Sequence, residues 1–194
     1  LAHAFLLTGI RGVGKTTTAR IIAKALNCIG NENNTEPTFE ICNNCSPCKS
    51  INKGNFLDVI EVDAASRTGV DGIREIIDAV MYSPNNARFK VYIIDEVHML
   101  SNAAFNALLK TLEEPPENVK FIFATTEIKK IPATIISRCQ RFDLQRVDID
   151  TLRSHLSKIC ESENIKFEKD SLFQICKASE GSVRDALSLL DQAA

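Results

Sequence analysis

The chain has 194 residues, which is enough for one domain with a small appendage and too few for a multi-module assembly. Hydrophobic residues make up 44% of it and charged residues 25%, and no apolar run approaches the ~20 residues of a membrane span, so we expect a soluble globular protein without membrane partners. Lys and Arg number 23 against 25 Asp and Glu, and this balance excludes a global basic field, so any DNA contact has to be local.

The cysteine content and the N-terminus indicate the cellular compartment. Seven cysteines are an odd number, and the first residues lack the pattern of a signal peptide, which argues against a secreted disulfide framework. A reducing cytoplasm is therefore the expected location. The sequence opens at Leu1, directly on a strand-like run, and we interpret it as a fragment of a longer chain.

Strand-like runs that are mostly separated by segments of helical spacing predict a parallel sheet wrapped by helices, an α/β fold. The runs are Ala4–Thr8, Phe56–Val62, Lys90–Asp95, Val119–Thr125 and Cys139–Leu144. Apolar residues three and four positions apart indicate helices at Ile73, Ile76, Ile77 and Val80, and behind the capping candidate Ser101 at Phe105, Leu108, Leu109 and Leu112. From about Arg146 only helical patterns follow, with capping candidates Asp148, Asp170 and Ser182 and with Gly181 placed to end a helix.

Residues 9–16 match the phosphate-binding pattern G-x-x-x-x-G-K-[ST] between a strand and a helix. Glycines let backbone N–H groups curl around phosphate oxygens, Lys15 would reach the β- and γ-phosphates, and the Thr16 hydroxyl would ligate Mg²⁺. A Gly-rich turn without a ligand is the alternative, and the complete motif in this context favours nucleotide binding. The predicted nucleotide-binding residues are Gly9, Arg11, Gly12, Val13, Gly14, Lys15, Thr16 and Thr17.

A C-x-x-C-x-x-C run at Cys42, Cys45 and Cys48 follows Cys28, which lies at the predicted end of the first helix. Four thiolates suit tetrahedral Zn²⁺ and leave no open position, so we predict a structural zinc site within an insertion over about residues 28–50. An iron–sulfur cluster is the alternative, but the ferredoxin-type run would place a cysteine at position 52, which is Asn52. The other cysteines are predicted to be buried apolar residues: Cys139, Cys160 and Cys176.

Two acids end the buried-type strand Lys90–Asp95, where a parallel sheet presents ligands at its carboxyl edge. We predict that Asp95 holds Mg²⁺ and that Glu96 polarises the attacking water. Alone, such acids would more commonly be solvated surface residues, and the intact phosphate loop favours the catalytic interpretation. His98 is interpreted as a packed or surface histidine rather than a ligand.

Several short motifs together resemble the AAA+ ATPases of the clamp-loader group. They are the phosphate loop, Asp95-Glu96, Ala124-Thr125-Thr126, Ser137-Arg138-Cys139 and the stretch at residues 181–186. The cysteine cluster and the stretches at residues 63–68, 95–100 and 108–116 are similar to the gamma/tau family of bacterial DNA polymerase III subunits. The resemblance covers nearly the whole chain and implies a P-loop AAA+ domain with a zinc-bearing insertion over residues 1–146. A small all-helical lid domain, truncated at its C-terminus, is expected over residues 147–194.

The same resemblance implies roles for three further residues. Thr126 fits the sensor that orients water and γ-phosphate, although Thr125 fits that position as well. Arg138 would be an arginine finger reaching a neighbouring subunit's nucleotide, and Arg184 a second sensor on the lid. The expected catalytic residues are Lys15, Asp95, Glu96, Thr126, Arg138 and Arg184, and the expected cofactors are ATP, Mg²⁺ and Zn²⁺.

The implied function is that of the ATP-hydrolysing motor of the clamp loader, within a polymerase holoenzyme but without polymerase residues of its own. The expected partners are other loader subunits, a ring-shaped sliding clamp and the phosphate backbone of primed DNA, with Arg67 and Lys130 as candidate DNA contacts. Two alternatives stay open. One is a nucleotide-binding scaffold whose zinc module mediates contacts without turnover. The other is a P-loop switch or small-molecule kinase, in which Arg138 and Arg184 would have no role.

Overall fold

A computed structural model of the chain describes residues 1–30, 36–66 and 70–194. Arg67, one of the candidate DNA contacts, lies outside the described residues. In the described part of the chain, no helix is long and apolar enough to span a membrane.

The strands are β1 (Ala4–Thr8), β2 (Val59–Asp63), β3 (Lys90–Asp95), β4 (Val119–Thr125) and β5 (Gln140–Asp143). The helices are α1 (Lys15–Asn27), α2 (Ser46–Asn52), α3 (Val70–Val80), α4 (Asn102–Glu113), α5 (Ala133–Ile136), α6 (Ile149–Glu163), α7 (Lys169–Ala178) and α8 (Val183–Ala193).

The five strands form one sheet in the order β2-β3-β4-β1-β5, and the pairs β2–β3, β3–β4 and β4–β1 are parallel. This confirms the predicted α/β fold. The register places Asp63 beside Asp95 and Thr8 beside Thr125, so the polar ends of these strands share one edge of the sheet. Ligands bind at this carboxyl edge in open α/β sheets.

Strand β2 begins at Val59, three residues later than the predicted start. The reason is the buried carboxylate of Asp58, which accepts the backbone N–H groups of Asn85 (2.9 Å), Asn86 (2.9 Å) and Ala87 (3.0 Å). The side chain of Asp58 thus holds the segment before β3, while its carbonyl already accepts the Val91 N–H at 2.8 Å, and the paired register begins with Val59 and Val91.

The first compact unit comprises residues 1–8 and 16–142 and contains the sheet. Its core is built on an aromatic stack in which the ring centroids of Tyr92 and Phe121 lie 5.5 Å apart and those of Phe121 and Phe123 5.9 Å apart. Helices α3 and α4 add Ile73 and Leu108 to this cluster, and both side chains are fully buried. Each such side chain contributes roughly 1.5–3 kcal/mol to stability.

The second compact unit comprises residues 9–15 and 143–194. Leu152, Leu156, Leu172 and Leu190 form its core, together with Cys160 and Cys176, whose predicted burial is confirmed. Cys139, in the sheet unit, lies just before β5 and is only partly buried. The division into domains at residues 146 and 147 remains a prediction.

Two predicted helix caps of the second unit are confirmed and one is wrong. The Asp148 carboxylate accepts the Thr151 N–H at 2.8 Å, and the Ser182 hydroxyl accepts the Asp185 N–H at 3.2 Å. Asp170 does not cap α7, because this helix already starts at Lys169 and its N-cap is Glu168. Asp170 instead lies in the first turn, where a carboxylate still stabilises the helix dipole.

Candidate functional site

The predicted phosphate loop belongs to the helical unit from Gly9 to Lys15. Lys15 is only 6% exposed, and its ammonium group donates hydrogen bonds to the carbonyls of Gly9 at 3.0 Å and Ile10 at 2.9 Å. The backbone carbonyls of the loop therefore bind the Lys15 ammonium group. A phosphate bound there would offer the ammonium group stronger, charged acceptors.

Helix α8 begins directly on this loop. The Gly12 carbonyl accepts the N–H groups of Val183 (3.0 Å) and Arg184 (3.3 Å). Gly12 has a φ of +80°, and a Cβ atom there would lie 2.1 Å from the Ser182 hydroxyl oxygen. Only glycine fits this position without strain, and the close approach places Arg184, the expected second sensor, beside the phosphate loop with its side chain exposed.

In the sheet unit, the two expected magnesium ligands lie in contact. The Thr16 hydroxyl, in the first turn of α1, donates a hydrogen bond to the Asp95 carboxylate at the end of β3. The other Asp95 oxygen accepts the Glu96 N–H at 2.9 Å. A hydroxyl and a carboxylate are hard oxygen donors of the kind Mg²⁺ takes in proteins, so these residues fit the ion that a nucleotide would bring.

Glu96 is held by the end of the neighbouring strand. Its Oε2 atom accepts hydrogen bonds from the Thr126 hydroxyl at 3.0 Å and from the Thr126 N–H at 3.3 Å. The Glu96 backbone is left-handed, with φ +47° and ψ +43°, a conformation that costs a non-glycine residue about 1–2 kcal/mol. Of the two threonines left open by the sequence, Thr126 contacts Glu96, whereas the buried Thr125 hydroxyl contacts His98 at 3.0 Å.

His98 is the residue of this group that sequence reasoning missed. Its side chain is 6% exposed, as expected for a packed histidine, but both ring nitrogens face carboxylates. Nδ1 lies 3.3 Å from Oε2 of Glu96, and Nε2 lies 3.4 Å from Oε1 of Glu127. The available signal was its place two residues after Glu96, since the short 3-10 turn Val97–Met99 turns the chain back at the carboxyl edge of the sheet.

Arg138 and Lys130 lie at the surface of the sheet unit, each with an acidic partner. The Arg138 guanidinium donates to Glu113 and to the Thr134 carbonyl, both at 2.7 Å, and its side chain is 34% exposed. Lys130 donates to Glu127 at 2.9 Å, and this bond lowers the pKa of Glu127. The structure thus brings Thr16, Asp95, Glu96 and Thr126 together, and it pairs the two basic residues with other acids, Glu113 and Glu127.

The four cysteines predicted to bind zinc converge. The sulfur atoms of Cys28, Cys42, Cys45 and Cys48 all lie within 4.8 Å of one another. Cys28 Sγ is 3.5 Å from Cys42 Sγ and 4.0 Å from Cys45 Sγ. Zinc–sulfur bonds of 2.3 Å in a tetrahedron correspond to sulfur–sulfur distances of about 3.8 Å, so the cluster fits one four-coordinate ion. All four cysteines are free thiols rather than disulfides.

Local structure explains why these sulfur atoms meet. The Cys28 N–H continues α1 by donating to the Lys24 carbonyl at 2.7 Å, while Cys45 is the N-cap of α2 and carries Cys48 one turn further. The Cys45 N–H donates to the Cys42 sulfur at 3.3 Å. This bond lowers the pKa of Cys42 to about 6, whereas burial raises the pKa of Cys48. Metals bind thiolates, so N–H groups directed at sulfur favour a metal-binding loop.

The end of α1 is tied to the start of β3. The Asn27 side chain is buried and pairs with the Phe89 backbone, donating to its carbonyl at 3.0 Å and accepting its N–H at 2.9 Å. Arg88 donates to the Leu26 carbonyl at 2.7 Å and to the Cys28 carbonyl at 3.4 Å. The first zinc-ligand candidate is therefore fixed to the sheet and not only to its own helix.

Comparisons with known proteins agree over the whole chain. A family model described as DNA polymerase III, delta subunit, matches residues 1–148, and one described as DNA polymerase III clamp loader subunit, ATPase lid domain, matches residues 151–194. Similar curated proteins are the DNA polymerase III subunit tau/gamma of Haemophilus influenzae (55% identity, 100% of this chain, 27% of that protein) and subunit tau of Bacillus subtilis (56%, 99%, 33%). Subunit tau of Escherichia coli is 53% identical over 98% of this chain and 29% of that protein. The chain thus spans about a quarter to a third of the length of these relatives.

Solved structures show the same fold at low sequence identity. The RuvB Holliday junction branch migration motor of Thermotoga maritima is similar with a TM-score of 0.65 and 20% identity, covering 97% of this chain and 53% of that one. A DNA polymerase III gamma subunit-related protein of the same organism has a TM-score of 0.54 and 20% identity, covering 93% and 54%. At this identity the likeness concerns the fold, which is that of the AAA+ ATPases.

Proposed function

The chain belongs to the gamma/tau family of DNA polymerase III clamp-loader subunits, and from that premise we propose that it is the ATP-hydrolysing part of a motor subunit that loads a sliding clamp onto primed DNA. The observation that carries the proposal is the hydrogen-bonded group of Thr16, Asp95, Glu96 and Thr126 at the carboxyl edge of a parallel sheet. This group follows a complete phosphate loop in the chain, and it holds the side-chain types that phosphoryl transfer to water requires.

The chemistry assigned to these residues is positioning and charge neutralisation. Backbone N–H groups of the loop and the Lys15 ammonium would bind the phosphates. Thr16 and Asp95 would hold Mg²⁺, which neutralises negative charge on the β- and γ-phosphates when it is bound. The Glu96 carboxylate, oriented by Thr126, would align a water molecule for in-line attack on the γ-phosphorus, with ADP as the leaving group.

Two arginines would make turnover depend on assembly and on the lid. Arg138 is exposed enough to reach outward, and it would exchange its bond with Glu113 for the phosphates of a nucleotide held by a neighbouring subunit. Arginine fingers are worth about 10³–10⁵ in rate. Arg184 would contact the γ-phosphate from the N-terminus of α8, where its backbone is already bonded to the phosphate loop.

The remaining partners are proposed on the family relationship. Other loader subunits, a sliding clamp and the phosphate backbone of primed DNA would bind the assembled protein, with Lys130 and Arg67 as candidate phosphate contacts. The cysteine cluster would hold a structural Zn²⁺ that braces the insertion, because four sulfur ligands leave no coordination position for a substrate.

The first experiment compares Glu96→Gln with the wild type, using the full-length chain assembled with its partner subunits. The glutamine keeps the shape and the Thr126 contact but loses the carboxylate charge, so ATP binding should persist while hydrolysis falls about 10²–10⁴-fold. Glu163→Gln, the same chemical change on an exposed residue, is the matched control and should leave both unchanged. Near-normal turnover in Glu96→Gln would contradict the proposal. ATP binding without hydrolysis in the wild type would instead favour the scaffold.

The second experiment tests clamp loading itself. ATP hydrolysis is measured with and without clamp and primed DNA, in the wild type, in Arg138→Ala and in the exposed-arginine control Arg153→Ala. We expect clamp and DNA to stimulate ATP hydrolysis in the wild type and in Arg153→Ala. In Arg138→Ala this stimulation should be lost while ATP binding is retained. ATP hydrolysis that does not respond to clamp and DNA would contradict clamp loading and indicate an ATPase with another role.

A further inference from the structure

We infer that His98 is a positioning residue for the Glu96 carboxylate, and that Glu127 and Lys130 select which of its two ring nitrogens carries the proton. The inference deepens the proposed function, because Glu96 acts there on the attacking water. It concerns residues that belong neither to the phosphate loop nor to the proposed magnesium ligands, and all of them lie in the sheet unit.

The contacts of His98 form a line from the proposed site to the surface. Nδ1 is 3.3 Å from Oε2 of Glu96, the same oxygen that accepts both hydrogen bonds of Thr126. Nε2 is 3.4 Å from Oε1 of Glu127. Glu127 in turn accepts a hydrogen bond from Lys130 at 2.9 Å, and the Lys130 side chain is 56% exposed. The ring is nearly inaccessible to water, so it has to satisfy its polar atoms through these carboxylates and the Thr125 hydroxyl, which lies 3.0 Å from Nδ1.

The two carboxylates compete for one proton on the ring. A neutral imidazole has one N–H donor and one lone pair, whereas an ionised carboxylate only accepts. With the proton on Nδ1, the N–H group lies 3.0 Å from the Thr125 hydroxyl oxygen and 3.3 Å from Oε2 of Glu96, and its positive end adds to the hold of Thr126 on that carboxylate. With the proton on Nε2, the N–H group faces Glu127 at 3.4 Å, and Nδ1 becomes an acceptor for the Thr125 hydroxyl. In that second tautomer a nitrogen lone pair faces the Glu96 oxygen, and the hold on Glu96 is weaker.

Lys130 biases this competition from the surface. Its ammonium group neutralises part of the charge on Glu127, which reduces the attraction of Glu127 for a proton on Nε2 and favours the tautomer that holds Glu96. The charge of an exposed lysine is thereby linked, through Glu127 and His98, to the carboxylate that orients water.

Nuclear magnetic resonance of histidine ring nitrogens tests the tautomer directly, without ATP turnover. The full-length protein is labelled with ¹⁵N-histidine, and the His98 signals are identified by their loss in His98→Asn. Lys130→Ala should move the balance toward the Nε2–H tautomer. Glu127→Gln should move it toward Nδ1–H, because an amide can donate to an unprotonated Nε2. Shifts of the same sign in both variants, no shift in either, or a doubly protonated ring in all proteins would overturn the inference.

Steady-state kinetics tests the hold on Glu96. Asparagine places an amide nitrogen near the position of Nδ1, whereas glutamine places one near Nε2, so the pair separates the two contacts of the ring. His98→Ala should lower kcat about 10–100-fold with ATP affinity unchanged, which is the size expected for a displaced catalytic group. Asparagine should recover most of this loss and glutamine little of it. Equal losses in all three variants, or a parallel loss of ATP affinity, would indicate a packing role only.

The two experiments keep this inference separate from the proposed function. A wild-type protein that binds but does not hydrolyse ATP would refute the proposed function, and the nitrogen spectra would then decide the tautomer inference by themselves. Active wild-type protein with unresponsive spectra would leave the ATPase intact and refute the inference.

Discussion

Replacing Gly12 by alanine tests how closely the phosphate loop and α8 are packed. The new methyl group would lie 2.1 Å from the Ser182 hydroxyl oxygen and 3.0 Å from Cβ of Arg184, at a backbone φ of +80°. The hydroxyl can rotate away, but it then loses the hydrogen bond with which it caps α8 through Asp185. A lost cap costs about 0.5–2 kcal/mol, and the left-handed backbone about 1–2 kcal/mol.

Gly14 is the matched control on the same loop. Its φ is +95°, so alanine there meets a comparable backbone penalty, yet among the described residues no atom beyond its chain neighbours lies within 4 Å of the added Cβ. We therefore expect Gly14→Ala to lower the free energy of unfolding by about 1–2 kcal/mol and Gly12→Ala to lower it by about 1.5–4 kcal/mol. Urea unfolding followed by the helical circular dichroism signal measures both values.

A double-mutant cycle isolates the contact with the cap. In the Ser182→Ala background the hydroxyl is gone and no cap remains to lose, so the cost of Gly12→Ala should shrink toward that of Gly14→Ala, with the close contact to Cβ of Arg184 remaining. Equal losses for the two glycine variants in the wild-type background would refute the reasoning. So would an extra cost of Gly12→Ala that persists unchanged in Ser182→Ala.

The zinc site and one helix cap give two further predictions. Natively purified protein should carry about one zinc ion per chain, lost in Cys45→Ser and kept in the non-cluster control Cys139→Ser, and metal analysis that finds none in the wild type would contradict the site. The Thr151 N–H lowers the pKa of Asp148 below its ordinary value of 3.8, so the cap's contribution is present above that pH and is lost as the pH falls through the folded-state pKa. Asp148→Asn should reduce the fall in melting temperature that the wild type shows as the pH is lowered. A melting temperature that falls equally steeply in both proteins would show that this cap does not contribute to the acid sensitivity.

The sequence anticipates those parts of the molecule that local patterns determine. Strands β1, β3 and β4 lie where apolar runs predict them, and the cap at Ser101 is confirmed by a 3.2 Å bond from the Ala104 N–H. A strand ending in acids predicts Asp95 and Glu96 as candidate site residues, because a parallel sheet brings all its carboxyl ends to one edge. The same logic places Thr126 near them, although it does not choose between the two threonines.

Contacts between distant parts of the chain are what the sequence could not supply. The pairing of Arg138 with Glu113, 25 positions away, depends on how α4 and α5 meet. The start of β2 depends on a carboxylate that binds backbone N–H groups 27 to 29 residues further along. The role inferred for His98 depends on which carboxylate faces each nitrogen, and a residue letter carries no information about ring orientation.

Helix α1 connects the proposed magnesium ligand Thr16 with the candidate zinc ligand Cys28, and this connection constrains the length of the helix. Thr16 lies at its start and Cys28 directly after its end, and the 13-residue helix between them is a rigid spacer about 20 Å long. Adding or removing one residue within α1 would rotate one end against the other by about 100°, which would misdirect either the hydroxyl or the thiol. Flexible connections have no such phase, because doubling the length of a flexible loop costs only about 0.6 kcal/mol. The spacing from Thr16 to Cys28 should therefore stay constant among related chains, and length variation should fall outside α1.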